Sequence, residues 1–256
     1  MDKNRKEHKK PAPEKDRPQN GGSGIEFAIH GEKISVIKRP ERSASILFIR
    51  SDTVSKVDFV GCDFDRDRKY VWYESPLNPG DCVQLTVKDI DRESEPVSTG
   101  GCFDVDAPPD DERAVRECEL SNYRKLRNRL LKKGLIEKSE SDEPEETTEK
   151  PKAGFELKTP ESEIRAALTS GIVIILFYMN KSGTWLSCSG IDSDSGDRLT
   201  WYDKALQNGD RFEIRLTGMT ESTPPIDIRP DPKDDESLLE RFRQMEQNLK
   251  EKRYLK

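Results

Sequence analysis

Gly61-Cys62-Asp63-Phe64-Asp65, then Trp72-Tyr73, then Leu77-Asn78-Pro79-Gly80-Asp81 form a run that is met again as Gly190-Ile191-Asp192-Ser193-Asp194, Trp201-Tyr202 and Leu206-Gln207-Asn208-Gly209-Asp210. Each anchor moves by the same 129 positions, Gly61 to Gly190 and Asp81 to Asp210. Ile46-Leu47-Phe48 and Ile175-Leu176-Phe177 keep that offset. The chain of 256 residues therefore reads as one small domain written twice. The duplication acts as an internal control. What both copies keep is expected to serve the fold, and what one copy lacks cannot belong to a shared site.

Outward from these anchors the pattern is that of strands. Ile25-Glu26-Phe27-Ala28-Ile29 alternates with period two, His30-Gly31 turns the chain, and Ile34-Ser35-Val36-Ile37 returns, which predicts a hairpin. Further strands are expected over 45–50, 56–60, 70–73 and 83–87, with Asn78-Pro79-Gly80-Asp81 as a turn. The second copy predicts strands over 155–157, 171–179, 184–191, 198–202 and 211–216, with a tight turn at Asn208-Gly209. Residues 160–169 read either as the matching strand or as a short helix, because Thr159-Pro160-Glu161 is a good helix start.

Each copy is followed by a proline-bearing stretch and a helix that opens on acids, Asp110-Asp111-Glu112 and Asp234-Asp235-Glu236. The first helix carries Val115, Cys118, Tyr123, Leu126 and Leu130, and Gly134 stops it. Leu238, Phe242, Met245 and Leu249 form one apolar stripe in the second. This stripe is expected to pack on its own β domain, with a helix–helix contact between copies or chains as the alternative.

The expected fold class is α+β and β-rich, two tandem copies of a small antiparallel β domain each followed by a C-terminal helix. The divisions are a disordered basic tail over 1–23, a first β repeat over 24–98, a loop and basic amphipathic helix over 99–136, an acidic disordered linker over 137–153, a second β repeat over 154–228 and a C-terminal amphipathic helix over 229–256. Tail and linker rest on charge: seven Lys/Arg against four acids in 1–23, and seven acids against three Lys in 137–153, neither with apolar periodicity.

Composition narrows the function. Hydrophobic residues make up 32% and charged residues 37%, so the cores are small or much of the chain lies outside them. Met1 opens a polar, charged stretch rather than a signal peptide, and the longest apolar run, Ile172 to Met179, suits a buried strand and not a membrane span. A cytoplasmic location is expected. The only histidines are His8 and His30, and the second copy has none, which argues against Ser/His or Cys/His nucleophilic catalysis. The five cysteines, Cys62, Cys82, Cys102, Cys118 and Cys188, contain no CxxC pair. Cys62 corresponds to Ile191 and Cys188 to Phe59, so both read as small buried hydrophobes.

Three groups of residues could carry binding. The paired aromatics Trp72, Tyr73, Trp201 and Tyr202 recur in both copies; neighbours on a strand face opposite ways, so one ring of each pair is expected in the core and one at a surface that meets a partner. The turns holding Asp63, Asp65, Asp192 and Asp194 place carboxylates at alternate positions, as calcium ligands are placed. The twelfth position from Asp63 is Glu74 but from Asp192 is Asp203, so the plainer reading is a polar β-turn. The first helix is basic, eight Lys/Arg against three acids over 112–133, and Arg124, Lys125, Arg127 and Arg129 could track phosphates of a nucleic acid.

The Gly-x-Asp, Trp, Leu-x-x-Gly-Asp signature resembles that of a group of short uncharacterised bacterial proteins that carry one such unit. The match is closer over 154–250, above all from Gly190 to Ile214, whereas the first copy has Arg66-Asp67 in place of Ser195-Gly196. The resemblance implies a bacterial, cytoplasmic, β-rich protein and brings no activity with it. The expected function is a non-catalytic, bivalent protein-binding or adaptor module with an unknown protein partner, no cofactor and no membrane. The alternatives are a calcium-responsive domain and weak nucleic-acid binding through tail and first helix.

Overall fold

The computed structural model describes residues 21–102, 112–138, 152–219 and 221–255. The tail expected over 1–23 lies outside these residues except for its last three, and so does most of the linker expected over 137–153. The first half gives β1 (Gly22–Ile29), β2 (Glu32–Ile37), β3 (Ser43–Ser51), β4 (Ser55–Asp63), β5 (Arg68–Pro76), β6 (Cys82–Ile90) and β7 (Ser98–Gly100), then helix α1 (Glu112–Lys132). The second gives β8 (Lys152–Lys158), β9 (Glu163–Leu168), β10 (Gly171–Asn180), β11 (Gly183–Asp192), β12 (Arg198–Ala205), β13 (Arg211–Met219) and β14 (Asp227–Arg229), then α2 (Asp235–Glu251). The described residues are β-rich and form two antiparallel sheets and two helices. Among the described residues no helix is long and apolar enough to cross a membrane.

The strands do not form one sheet system per half. A six-stranded sheet runs β2-β1-β6-β13-β8-β9, and an eight-stranded sheet runs β14-β12-β11-β10-β3-β4-β5-β7. Both orders read the same way from either end once each strand is replaced by its counterpart. Pairing at the two centres has the same symmetry: Gln84 stands opposite its own counterpart Glu213, and Leu47 opposite Leu176. The cross-links are reciprocal. The Gly80 N–H donates to the Leu216 carbonyl at 2.9 Å, and the Gly209 N–H donates to the Val87 carbonyl at 2.8 Å. Such mutual exchange is what a two-fold, self-complementary interface produces.

A single apolar core fills the space between the sheets and draws on both halves, with Phe27, Phe48, Phe59 and Trp72 from one and Phe155, Ile175, Phe177 and Trp201 from the other. Phe48 and Phe155 meet across it at 6.2 Å. The repeats over 24–98 and 154–228 are thus halves of one sandwich, a correction to the expectation of two separately cored domains. A body of about 75 residues buries too little surface to be comfortable alone, whereas joining two removes both central edges at once.

The helices also depart from expectation. Tyr123, Leu126 and Leu130 of α1 pack with Leu238, Phe242 and Leu249 of α2 in a second apolar cluster that shares no residue with the sandwich core. Tyr123 stacks on Phe242 at 5.2 Å. The stripes therefore cover each other instead of the sheets. Asp234 caps α2 by accepting from the Ser237 N–H at 2.7 Å, and Gly134 ends α1 with φ of 69°. The 160–169 ambiguity resolves as strand β9, because the Thr159 hydroxyl accepts from the Ser162 N–H at 3.0 Å in a local turn and begins no helix.

Candidate functional site

The repeated signature proves to be a set of fold devices. Opposite Trp72 the ladder slips by one residue, pairing Phe59 with Tyr73 and Val60 with Val71, and opposite Trp201 it slips again, pairing Cys188 with Tyr202 and Ser189 with Thr200. The tryptophan is the extra residue of a β-bulge in each half. A bulge breaks strict alternation, so both rings of a pair can turn inward. Trp72 is 2% exposed and Trp201 4%, Tyr202 is buried, and half-buried Tyr73 packs on Phe27 at 5.1 Å. The expectation that one ring of each pair faces a partner is corrected: all four rings pack on the core.

Gly61 and Gly190 make room for the indoles. A Cβ on Gly61 would lie 2.8 Å from the Trp72 ring and 2.9 Å from the Ser43 carbonyl, and one on Gly190 would lie 3.0 Å from Trp201. Gly80 and Gly209 have positive φ, and the carboxylates of Asp81 and Asp210 accept from the Asn78 and Gln207 N–H groups at 2.7 and 2.8 Å. The leading aspartates do similar work. Buried Asp63 accepts from the Arg66 N–H at 3.1 Å, and Asp192 accepts from the Asp194 N–H at 2.7 Å. Asp65 is exposed at the turn, and Asp194 pairs with Lys132 at 2.8 Å. Among the described residues no three His, Cys, Asp or Glu side chains stand close enough to hold a metal ion, so the turns expected as calcium ligands bring no ligand cluster together.

The cations of α1 are largely engaged within the molecule. Lys125 pairs with Asp52 of the first half at 2.8 Å, and Arg129 with Asp231 of the second at 2.7 Å. Arg124 is exposed and Arg127 half-buried. Together with Lys132–Asp194, these pairs strap the helix pair across both halves, and Lys133–Asp235 ties the two helices to each other. A cleft of about 450 Å³ lies at this joint, lined by Arg129, Lys132, Lys133, Asp194, Asp231 and Lys233 among others. Its charges are of both signs and mostly paired. Gly196 permits the joint, since a Cβ there would lie 2.1 Å from a terminal Arg129 nitrogen. Asp67, also at positive φ, occupies the matching turn of the first half.

The joint has a pH consequence. Burial raises the Asp231 carboxyl, but the Lys233 backbone N–H and the Arg129 guanidinium outweigh it and hold the group below its ordinary value. A lowered carboxyl contributes stability that is complete above the unfolded value, about 3.9, and is lost as pH falls through the folded one. We expect α1 amide signals to shift and broaden as pH falls below about 4, while the Trp72 and Trp201 indole N–H signals stay in place. Both sets moving together would make helix pair and sandwich one cooperative unit.

A feature without an expectation from the sequence lies on the straps that follow β6 and β13. The Trp72 indole N–H donates to the Ser94 carbonyl at 3.1 Å, and the Trp201 indole N–H to the Thr223 carbonyl at 2.8 Å. The Ser94 and Thr223 hydroxyls accept from the N–H groups of Ser35 on β2 and Arg165 on β9, both at 2.9 Å. The Val97 N–H then donates to Val71 at 2.8 Å, and the Ile226 N–H to Thr200 at 2.7 Å. Each strap thus ties one sheet to the other and ends on the outer edge strand, β7 or β14. There Val97 is 75% exposed and Ile226 70%. The signal that could have found them is Ser94-x-Pro96-Val97 against Thr223-x-Pro225-Ile226, at the same offset of 129 (Val97 to Ile226).

Compared with known proteins, the chain matches no family model, no curated protein and no solved structure.

Proposed function

We propose that the chain is a fused pair of one small unit and acts as a non-catalytic protein-binding module with two equivalent docking edges, one at each end of the eight-stranded sheet. The observation that carries this reading is the matched exposure of Val97 and Ile226 on straps each fixed by the same three hydrogen bonds. An exposed aliphatic side chain on a held backbone loses little entropy when a partner covers it. Ile228, 55% exposed, widens the second edge, where the first has Thr99. Short strands with proline just before them limit strand-to-strand aggregation, so the contact is made through side chains. Two rigidly related sites suit a partner that is itself repeated or oligomeric, and linkage raises avidity by about 10²–10⁴ over one site.

The test is capture with the full chain, its Val97→Asp and Ile226→Asp variants, and the double variant. Surface substitutions of this kind change stability little, about 0.5 kcal/mol or less. A partner recovered by the wild type should fall steeply with either substitution and disappear with both. Equal recovery by the double variant, with an unchanged melting temperature, would remove the edges as docking sites.

A further inference from the structure

The two halves secure the end of the strap by different chemistry at the same place. In the second half, Asp231 lies just beyond β14 and takes the Arg129 guanidinium at 2.7 Å. Its counterpart in the first half, at the offset that carries Gly61 to Gly190, is Cys102, just beyond β7. The Cys102 N–H donates to the Asp67 carboxylate at 2.9 Å, and its thiol reaches the Asp63 carbonyl at 3.5 Å. These bonds fold the chain back over the turn that joins β4 to β5. They set the Cys102 thiol against the carbonyl of the residue that follows Cys62, and Cys62 and Gly100 both stand opposite Lys69 in the ladder, so the two cysteines share one corner of the sheet. Both cysteines are half-buried and free. The second half has Ile191 in the place of Cys62, so the pair belongs to one half alone.

We propose that Cys62 and Cys102 are a thiol–disulfide pair that closes by exchange with a low-molecular-weight disulfide. The Cys102 thiolate attacks one sulfur of the small disulfide, the S–S bond breaks, and one small thiolate leaves. The Cys62 thiolate then attacks the Cys102 sulfur of the mixed disulfide and expels the second. Two protein thiols and one small disulfide become one protein disulfide and two small thiols, so atoms and electrons balance. Closure would tie β7, and with it the Val97 edge, covalently to β4. The second half keeps an ion pair there. The exchange does not depend on what the Val97 edge binds.

Burial above all, with the nearby Cys102 thiol and the Asp67 charge adding and Lys69 opposing, pushes the Cys62 thiol up to about 12. Only the thiolate attacks, so closure is slow near neutrality and quickens as pH rises. This suits a lasting structural bond better than a fast peroxide sensor.

The experiment is equilibration of the full-length chain with oxidised and reduced glutathione, followed by alkylation, digestion without reductant and mass spectrometry. The expected product is a peptide cross-linked through Cys62 and Cys102, forming up to about tenfold faster for each unit of rising pH while Cys62 remains mostly protonated. Buried Cys188, whose thiol burial also raises, should remain free, and exposed Cys118 should carry only glutathione. In Cys62→Ser, the glutathione adduct on Cys102 should accumulate, because nothing resolves it. A persistent Cys102–glutathione adduct in the wild type, or cross-links through Cys82 or Cys118 in place of this one, would overturn the pairing. The wild-type cross-link is read directly, so the proposal stands or falls even where a variant fails to fold.

Discussion

Residues 21–102, expressed without the rest of the chain, will not form a folded monomer. Removing the second half strips β13 from β6 and β10 from β3, which bares the central edge of both sheets. It also removes Phe155, Ile175, Phe177 and Phe212 from the shared core, leaving Phe48 facing water where it met Phe155 at 6.2 Å. What remains is a three-stranded and a four-stranded sheet with half a core between them. At about 80 residues, such a body has little margin against the entropy of ordering the chain. The pseudo-symmetry offers one way out. A second copy can present its own β6 across Gln84 and its own β3 across Leu47, since these positions already face their counterparts in the intact chain. Sedimentation velocity and circular dichroism over about a hundredfold range of concentration should show an unfolded chain when dilute and a folded dimer when concentrated, with a melting temperature that follows concentration. A concentration-independent, cooperatively melting monomer would mean that each half has a sufficient core of its own.

The limits of sequence reading at this protein follow from what periodicity can and cannot carry. Local rules succeeded locally. His30 and Gly31 take positive φ in the expected hairpin turn, Asp234 caps its helix, and Ile25 to Ile29 alternates as predicted. Apolar content says that β3 and β10 are buried strands, but a strand is equally apolar whether its neighbour comes from its own half or the other, so the shared core left no mark. The bulges were hidden for the opposite reason: Trp201-Tyr202 reads as a simple alternating pair until one unmatched residue in the partner ladder is known. Strands β7 and β14 have three residues each, too few for a period, and follow a proline-bearing stretch. Yet the internal control held the cue to them, because Val97 and Ile226 stand at the offset of Gly61 and Gly190. Apolar residues repeated in a polar stretch and still exposed differ from repeated core residues, and the distinction needs burial, which the sequence does not state. Cys62 and Cys102 lie beyond such rules, since the return of Cys102 to the turn after β4 depends on β7 following β5 in the sheet order.

Trp72→Ala should destabilise the chain by about 4 kcal/mol, the range seen when a buried large aromatic is truncated. The ring packs on Phe59 at 5.3 Å and stacks with Tyr70 at 5.8 Å, and the Arg42 guanidinium lies over its face at 4.9 Å. Its indole N–H is the bond that fixes the Ser94 strap, so truncation adds about 1 kcal/mol for an orphaned carbonyl and frees the segment leading to Val97. Trp201→Ala should cost less, because Gly171 stands where the first half has Arg42 and supplies no cation to cover the ring; the difference is about 0.5–2 kcal/mol. Gly61→Ala supplies the test of cause. Alone, its Cβ meets the Trp72 ring at 2.8 Å and the Ser43 carbonyl at 2.9 Å. Combined with Trp72→Ala, the first clash vanishes and the second stays. Denaturant melts of the two single variants and the double should therefore give a cost below the sum, with a coupling of about 1 kcal/mol or more. Strict additivity would show that Gly61 is required for the backbone path past Ser43 alone, and that the Gly-x-Asp signature does not exist to seat the indole.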